Sequence, residues 1–266
     1  VAAATPADLI AAQAAARARL TGTAVHAATS SVRGFSGWYD TAAITVLAQR
    51  ITRHVESVQR QVAATTDAYL ARLLSLLTGK LVRPLGPIDV AGLRQGVSHD
   101  AVYGRLANEY RWQRSQDKPE TEALRVVTAR AEAMVETDTA LAHRAQARRV
   151  MLAHKVSGYR RIIRPELSRA GVCGLCVAAS DRVYHRGDLR PIHARCNCEV
   201  APIVGAHDPG KPLNAEDLTA LYTAAGGTTS GPALKRVRYV VHNNGELGPV
   251  LGVAGQRFRG PDDIAA

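Results

Sequence analysis

The sequence predicts an α+β protein: a long-helix N-terminal region, then a small α+β module, then a β-hairpin tail. Three observations predict it. Apolar residues recur at alternating spacings of three and four through much of residues 1–157, which is helical periodicity. All four cysteines fall between Cys173 and Cys198, in a stretch mixed with Gly, Pro and His. Late in the chain, two β-prone runs flank Asn243-Asn244-Gly245, a strong short-range hairpin signal. The implied divisions are a helical domain over 1–157, a Cys/His module over 158–204, and a linker, short helix, hairpin and extended tail over 205–266.

Composition agrees with helices. At 266 residues the chain can bury a sizeable core, as one large domain or two ordinary ones. Hydrophobic residues make up 46% but aromatics only 5%, and Ala is abundant, which suits long helices packed closely. The longest apolar runs, such as Leu73 to Leu77, fall far short of the roughly 18 to 20 residues that span a bilayer, so no membrane segment is expected. Arg17 and Arg19 interrupt the Ala-rich start, so a secretory signal is not expected and a cytosolic setting is. Lys plus Arg number 34 against 23 acidic residues, for a net charge of +11 and a pI near 10.0. That excess favours an acidic partner, nucleic acid or an acidic protein surface, although a solvated basic surface would look the same.

The elements follow in order. Thr5, Pro6 and Asp8 supply a cap, a first-turn proline and an early acid, so a first helix starts there with helix formers to about Leu20. Gly34-Phe35-Ser36-Gly37 breaks the pattern. From Asp40, the positions Ile44, Ala48, Ile51, Val55, Val58, Val62 and Tyr69 trace one narrow seam on a second helix. It ends near Leu77, before Gly79 and Pro84. Leu81 to Gly96 reads as a loop. A third helix follows Ser98 to about Arg114, with Ala101, Val102, Leu106 and Tyr110 facing inward. A fourth runs from Pro119 to about Ser157, with Leu124, Val127, Ala131, Met134, Leu141, Ala145, Leu152 and Val156 on one face. Such a rod would be on the order of 55 Å long and suits an assembly component. Its His143 and His154 read as surface or packing residues. Tyr159 to Ile163 then reads as a strand. Ala206 to Pro212 reads as linker, Asn214 caps a short helix, and Arg236 to Val241 with Leu247 to Val253 form the hairpin.

The most informative motif is the Cys/His cluster. Cys173 and Cys176 form C-x-x-C, and His193, Cys196 and Cys198 form H-x-x-C-x-C. Two close pairs of soft donors separated by a loop are the usual way to surround a tetrahedral zinc ion. Five candidates compete for four places, so either His193 or one of the last two cysteines stands outside the ligand set; the favoured set is Cys173, Cys176 and His193, plus Cys196 or Cys198. Disulfides are the rival reading in an oxidising setting. A redox C-x-x-C would need a βαβ surrounding, and a catalytic zinc would need an open position and a general base. Without an H-x-E or H-E-x-x-H signature, the expectation is a structural zinc that staples a module too small to hold itself by packing.

From Arg160 to Pro202 the chain resembles the core of Mu F-like head morphogenesis proteins. The residues that carry this are C-G-L-C, Asp181-Arg182-Val183-Tyr184, Pro191, the H-x-x-C-x-C and Val200-Ala201-Pro202. The segments Gly245 to Leu251 and Gly260-Pro261-Asp262-Asp263 are similar to versions in phages of actinobacteria. The resemblance covers roughly the last hundred residues well. It implies a minor capsid protein of a tailed phage virion, assembled in the host cytoplasm and held inside the capsid near the portal. There it would act in head assembly and DNA packaging or ejection. The implied partners are the portal protein, the major capsid protein, other copies of the chain and packaged double-stranded DNA, with no membrane. No enzyme activity is expected. Similar phage genes are also labelled capsid maturation proteases, and Ser157 with His154 is the pair that reading would use. It lacks a nucleophile setting such as G-x-S-x-G. A third alternative, a DNA-binding zinc protein, leaves the long helices unexplained.

Overall fold

The structure, a computed structural model, describes residues 4–162, 164, 180, 183–185, 189 and 198–210, and the strands at 239–244 and 248–253. It consists of a four-helix N-terminal region followed by a small three-stranded antiparallel sheet and a separate two-stranded hairpin. No helix among the described residues is long and apolar enough to cross a membrane.

Helix α1, Pro6–Arg33, opens with a capping box: the Asp8 amide donates to Thr5 Oγ1, and the Thr5 amide donates to the Asp8 carboxylate. It continues well past Leu20, because Ala24, Ala28 and Val32 extend its buried face as far as Gly34. Helix α2, Thr41–Thr78, starts at Asp40, whose carboxylate accepts from the Ala42 and Ala43 amides. It stops at Gly79, where φ is +67°, a left-handed cap that glycine adopts without strain. Helix α3, His99–Ser115, is capped by Ser98 as expected. Its inward face is Val102, Tyr103, Leu106, Ala107 and Tyr110; Ala101 lies on the exposed side, one position out of the helical repeat.

Helix α4, Glu120–Ala153, departs most from a one-sided rod. Every residue from 137 to 144 is buried, polar ones included, because α1, α2 and α3 all pack against this helix. Leu124 and Ala145, expected on the buried face, are half-buried, and Leu152 is exposed. The helix ends before Ser157, and Lys155 turns the chain at φ +51°.

The core has two parts. One lies among the four helices and includes Ala28, Trp38, Ile51, Val55, Val58, Val62, Leu106, Val127 and Met134, with Ile44 packed at its edge. The other joins Ile10 of α1, Leu70, Leu73 and Leu74 of α2, and Val150 and Met151 of α4 to the sheet through Tyr159, Ile162, Val200 and Ala201. The sheet and the helices thus share one apolar contact zone.

In that sheet, β1 (Gly158–Ile162) is the centre, flanked by β2 (Val183–Tyr184) and β3 (Glu199–Ile203), both antiparallel to it. Gly158 is required: a Cβ there would stand 2.8 Å from the Tyr184 carbonyl oxygen. The start of the expected linker turns back on the sheet, through a Val204–His207 bridge and an ion pair of Asp208 with Arg160 at 2.7 Å. The hairpin pairs β4 (Tyr239–Asn244) with β5 (Gly248–Val253). Asn243 and Asn244 are ladder residues opposite Pro249 and Gly248, inside the paired strands. Residues 245–247, the helix expected from Asn214 and the extended tail lie outside the described residues.

Candidate functional site

Strand β3 begins immediately after the last cysteine of the cluster. Cys198 is buried, and Glu199 follows it as the first strand residue, paired with Ile162 of β1. The Glu199 side chain reaches into the helices. Its Oε1 accepts from Arg17 Nε of α1 at 2.6 Å, and its Oε2 lies 3.2 Å from His143 Nε2 of α4. Behind the imidazole, His143 Nδ1 is 3.0 Å from Thr66 Oγ1 of α2, and Thr66 accepts from Gln13 Nε2 of α1. Next to it, Tyr69 donates its hydroxyl to the Val200 carbonyl at 2.9 Å.

Three helices therefore hold the head of β3 through one buried polar chain. A carboxylate taken out of water needs opposite charge and hydrogen bonds to remain ionised. Burial alone would push the Glu199 carboxyl up, but Arg17, His143 and Arg164 outweigh it and hold it below the usual glutamate range. For Tyr69, burial and then the Glu199 charge push the phenol well above its usual range, which keeps it a neutral donor.

Of the residues that carry the sequence resemblance, those among the described residues lie in or beside one sheet. Arg160, Val183-Tyr184 and Val200-Ala201-Pro202 belong to the three adjacent strands of one sheet. Arg161 is fully buried, its guanidinium 5.7 Å and 5.1 Å from the ring centroids of Tyr159 and Tyr184, which stack on each other. Of the metal candidates, the structure places Cys198 at the head of β3. Cys173, Cys176, His193 and Cys196 lie outside the described residues. Among the described residues there is no group of three or more His, Cys, Asp or Glu that could hold a metal.

Sequence reasoning missed Arg17, which it took only as an interruption of the Ala-rich start, and it missed Glu199. His143, read as a surface or packing residue, is buried and polar-bonded. The available signal was the repeat of long polar side chains, Gln13 and Arg17, four apart on an otherwise apolar helical face.

A second buried polar node lies in the middle of α4. Asp138 accepts from Arg94 Nε at 2.7 Å and from the Tyr103 hydroxyl at 2.6 Å, and its backbone carbonyl accepts from Gln59. His99 stands between Asp138 and Glu56, with Nδ1 3.2 Å from Glu56 Oε1. Of the pair that a protease would use, Ser157 donates its hydroxyl to the Ile203 carbonyl at 2.7 Å, and His154 is the exposed C-cap of α4.

Fold and site together define a helical scaffold that grips a small antiparallel sheet through the buried Arg17–Glu199 ion pair and the hydrogen bonds around it. No family model matches the chain, and no curated protein or solved structure matches it.

Proposed function

We propose that this chain is a minor structural protein of a tailed-phage virion, held inside the head near the portal, where it serves head assembly and DNA packaging or ejection. The observation that supports it is the Arg160 to Pro202 motif: its β-forming residues build one sheet, seated on the ends of three long helices. That construction suits a part that transmits position between neighbours, since its buried polar groups are spent on joining elements. Zinc would be held by Cys173, Cys176 and His193 with Cys196 or Cys198, closing the segment between β1 and β3 on itself. Cys198 fits such a role in being a buried thiol anchored by the strand that follows it.

The test is particle composition. Purified virions are expected to contain the chain at few copies, together with the portal protein, and its absence from particles would overturn the proposal. The maturation-protease alternative is separated by expressing the chain with the major capsid protein alone. Specific cleavage that disappears on replacing Ser157 or His154 would favour the protease.

A further inference from the structure

We propose that the outward face of α2 is a docking surface for the sugar-phosphate backbone of duplex DNA, bound without regard to sequence. This deepens the function proposed above and rests on it for the identity of the polyanion. Helix α2 carries four arginines, Arg50, Arg53, Arg60 and Arg72, and all four are exposed. At 3.6 residues per turn they fall within an arc of roughly 120°, and at 1.5 Å per residue they extend along roughly 33 Å of helix. The helix has only two carboxylates, and together they leave Arg50, Arg53 and Arg72 without a carboxylate partner from α2, only Arg60 being paired, with Glu56. Asp67 is buried and accepts from the Gly86 amide, while Glu56 leans inward to His99 and reaches Arg60 only at 3.8 Å.

The residues between the arginines decide what kind of polyanion fits. His54, Ser57, Gln61, Ala64 and Ala68 share the arc between Arg50 and Arg72 and are exposed, so the middle of the face is polar or small and lacks a large apolar anchor; the exposed Val46 lies beyond its end, one turn before Arg50. Protein interfaces centre on large buried anchors, which argues against an acidic protein as the occupant. Single strands bind through stacked Phe, Tyr and Trp rings, and the one such residue of α2, Tyr69, is buried. What remains is a row of guanidiniums with gaps wide enough for a bulky backbone, the arrangement that neutralises phosphates and releases counterions. The α4 surface offers no equivalent, because Glu122 and Glu132 are interleaved with its arginines.

Fluorescence anisotropy with a labelled duplex of arbitrary sequence tests this, with salt varied between about 50 and 200 mM. The intact chain is expected to bind, and the combined Arg50→Gln, Arg53→Gln, Arg60→Gln and Arg72→Gln variant to lose at least tenfold in affinity. The slope of log affinity against log salt is expected to flatten by about three to four. These side chains are exposed, so circular dichroism should report an unchanged helical fold. Neutralising Arg114, Arg125, Arg148 and Arg149 instead is expected to leave most of the binding. Failure of the intact chain to bind duplex, preference for single strands, or a fourfold variant that binds like the parent would each overturn the proposal. Recovery of that unaffected chain in virions would confine the failure to the α2 surface and leave the virion function standing.

Discussion

Arg17 and Glu199 form a buried ion pair at 2.6 Å although 182 residues separate them. The pair ties the first helix to the strand that follows the cysteine cluster. Removing one partner leaves the other buried and charged, so Arg17→Met is expected to destabilise the fold by about 3–5 kcal/mol. Adding Glu199→Gln should recover much of that. Urea unfolding of both variants measures it, and a loss below about 1 kcal/mol for Arg17→Met would show the pair to be dispensable.

The same pair sets an acid response. A carboxyl held low in the folded state contributes stability that is fully present above the ordinary glutamate value of 4.5 and is lost as pH falls through the lower folded-state value. Stability of the parent chain should therefore fall more steeply below that pH than stability of the Arg17→Met, Glu199→Gln double variant. Parallel declines between pH 5 and roughly 2 would count against the ionised state of Glu199.

Asp138 anchors the centre of α4. Asp138→Ala strands the Arg94 guanidinium and is expected to cost about 3–5 kcal/mol. Tyr103→Phe removes one hydrogen bond to the same carboxylate and should cost about 1.5–3 kcal/mol. Thermal or urea unfolding that reverses this order would contradict the arrangement.

Along α2, burial alternates within one residue. Val58 lies in the helical core and Ser57 is exposed. Val58→Asp should cost upwards of about 3 kcal/mol, whereas Ser57→Asp should stay within about 0.5 kcal/mol. Equal effects in a denaturation series would misplace the seam.

The cysteine module should carry about one zinc per chain when the protein is prepared reduced. Metal analysis reads this directly, and Cys173→Ser or Cys176→Ser should lower the content while the helical signal survives. A normally folded chain with less than a tenth of an equivalent would defeat the zinc assignment.

How much of this was legible in the sequence depends on the kind of force involved. Caps were legible because they are local: Thr5 with Asp8, and Ser98, each sit at the helix start they mark. The α2 seam was legible because Ile51, Val55, Val58 and Val62 keep one period over many turns. Helix α4 was misread as one-sided because its buried middle contains Asp138, His143, Arg144 and Gln146. Asp138 is partnered by Arg94 and Tyr103, His143 by Glu199, and Gln146 by Gly86 and Ile88, all far away in sequence, and periodicity has no access to such partners. The same limit hid Arg17 from the reading of the site.

The packing of α4 against all three other helices also has a consequence in time. This helix leaves the ribosome last of the four, and 120 residues of synthesis separate the end of α1 at Arg33 from the end of α4 at Ala153. At about 5–20 residues per second that is an interval of roughly 6–24 s, during which α1 and α2 can pack on each other while the sides they turn to α4 stay uncovered. Chains halted before Glu120 are therefore expected to be captured by chaperones or to associate with one another, and chains halted past Ala153 to resist protease over residues 6–153. Early protease resistance in chains lacking α4 would show that the first three helices close by themselves.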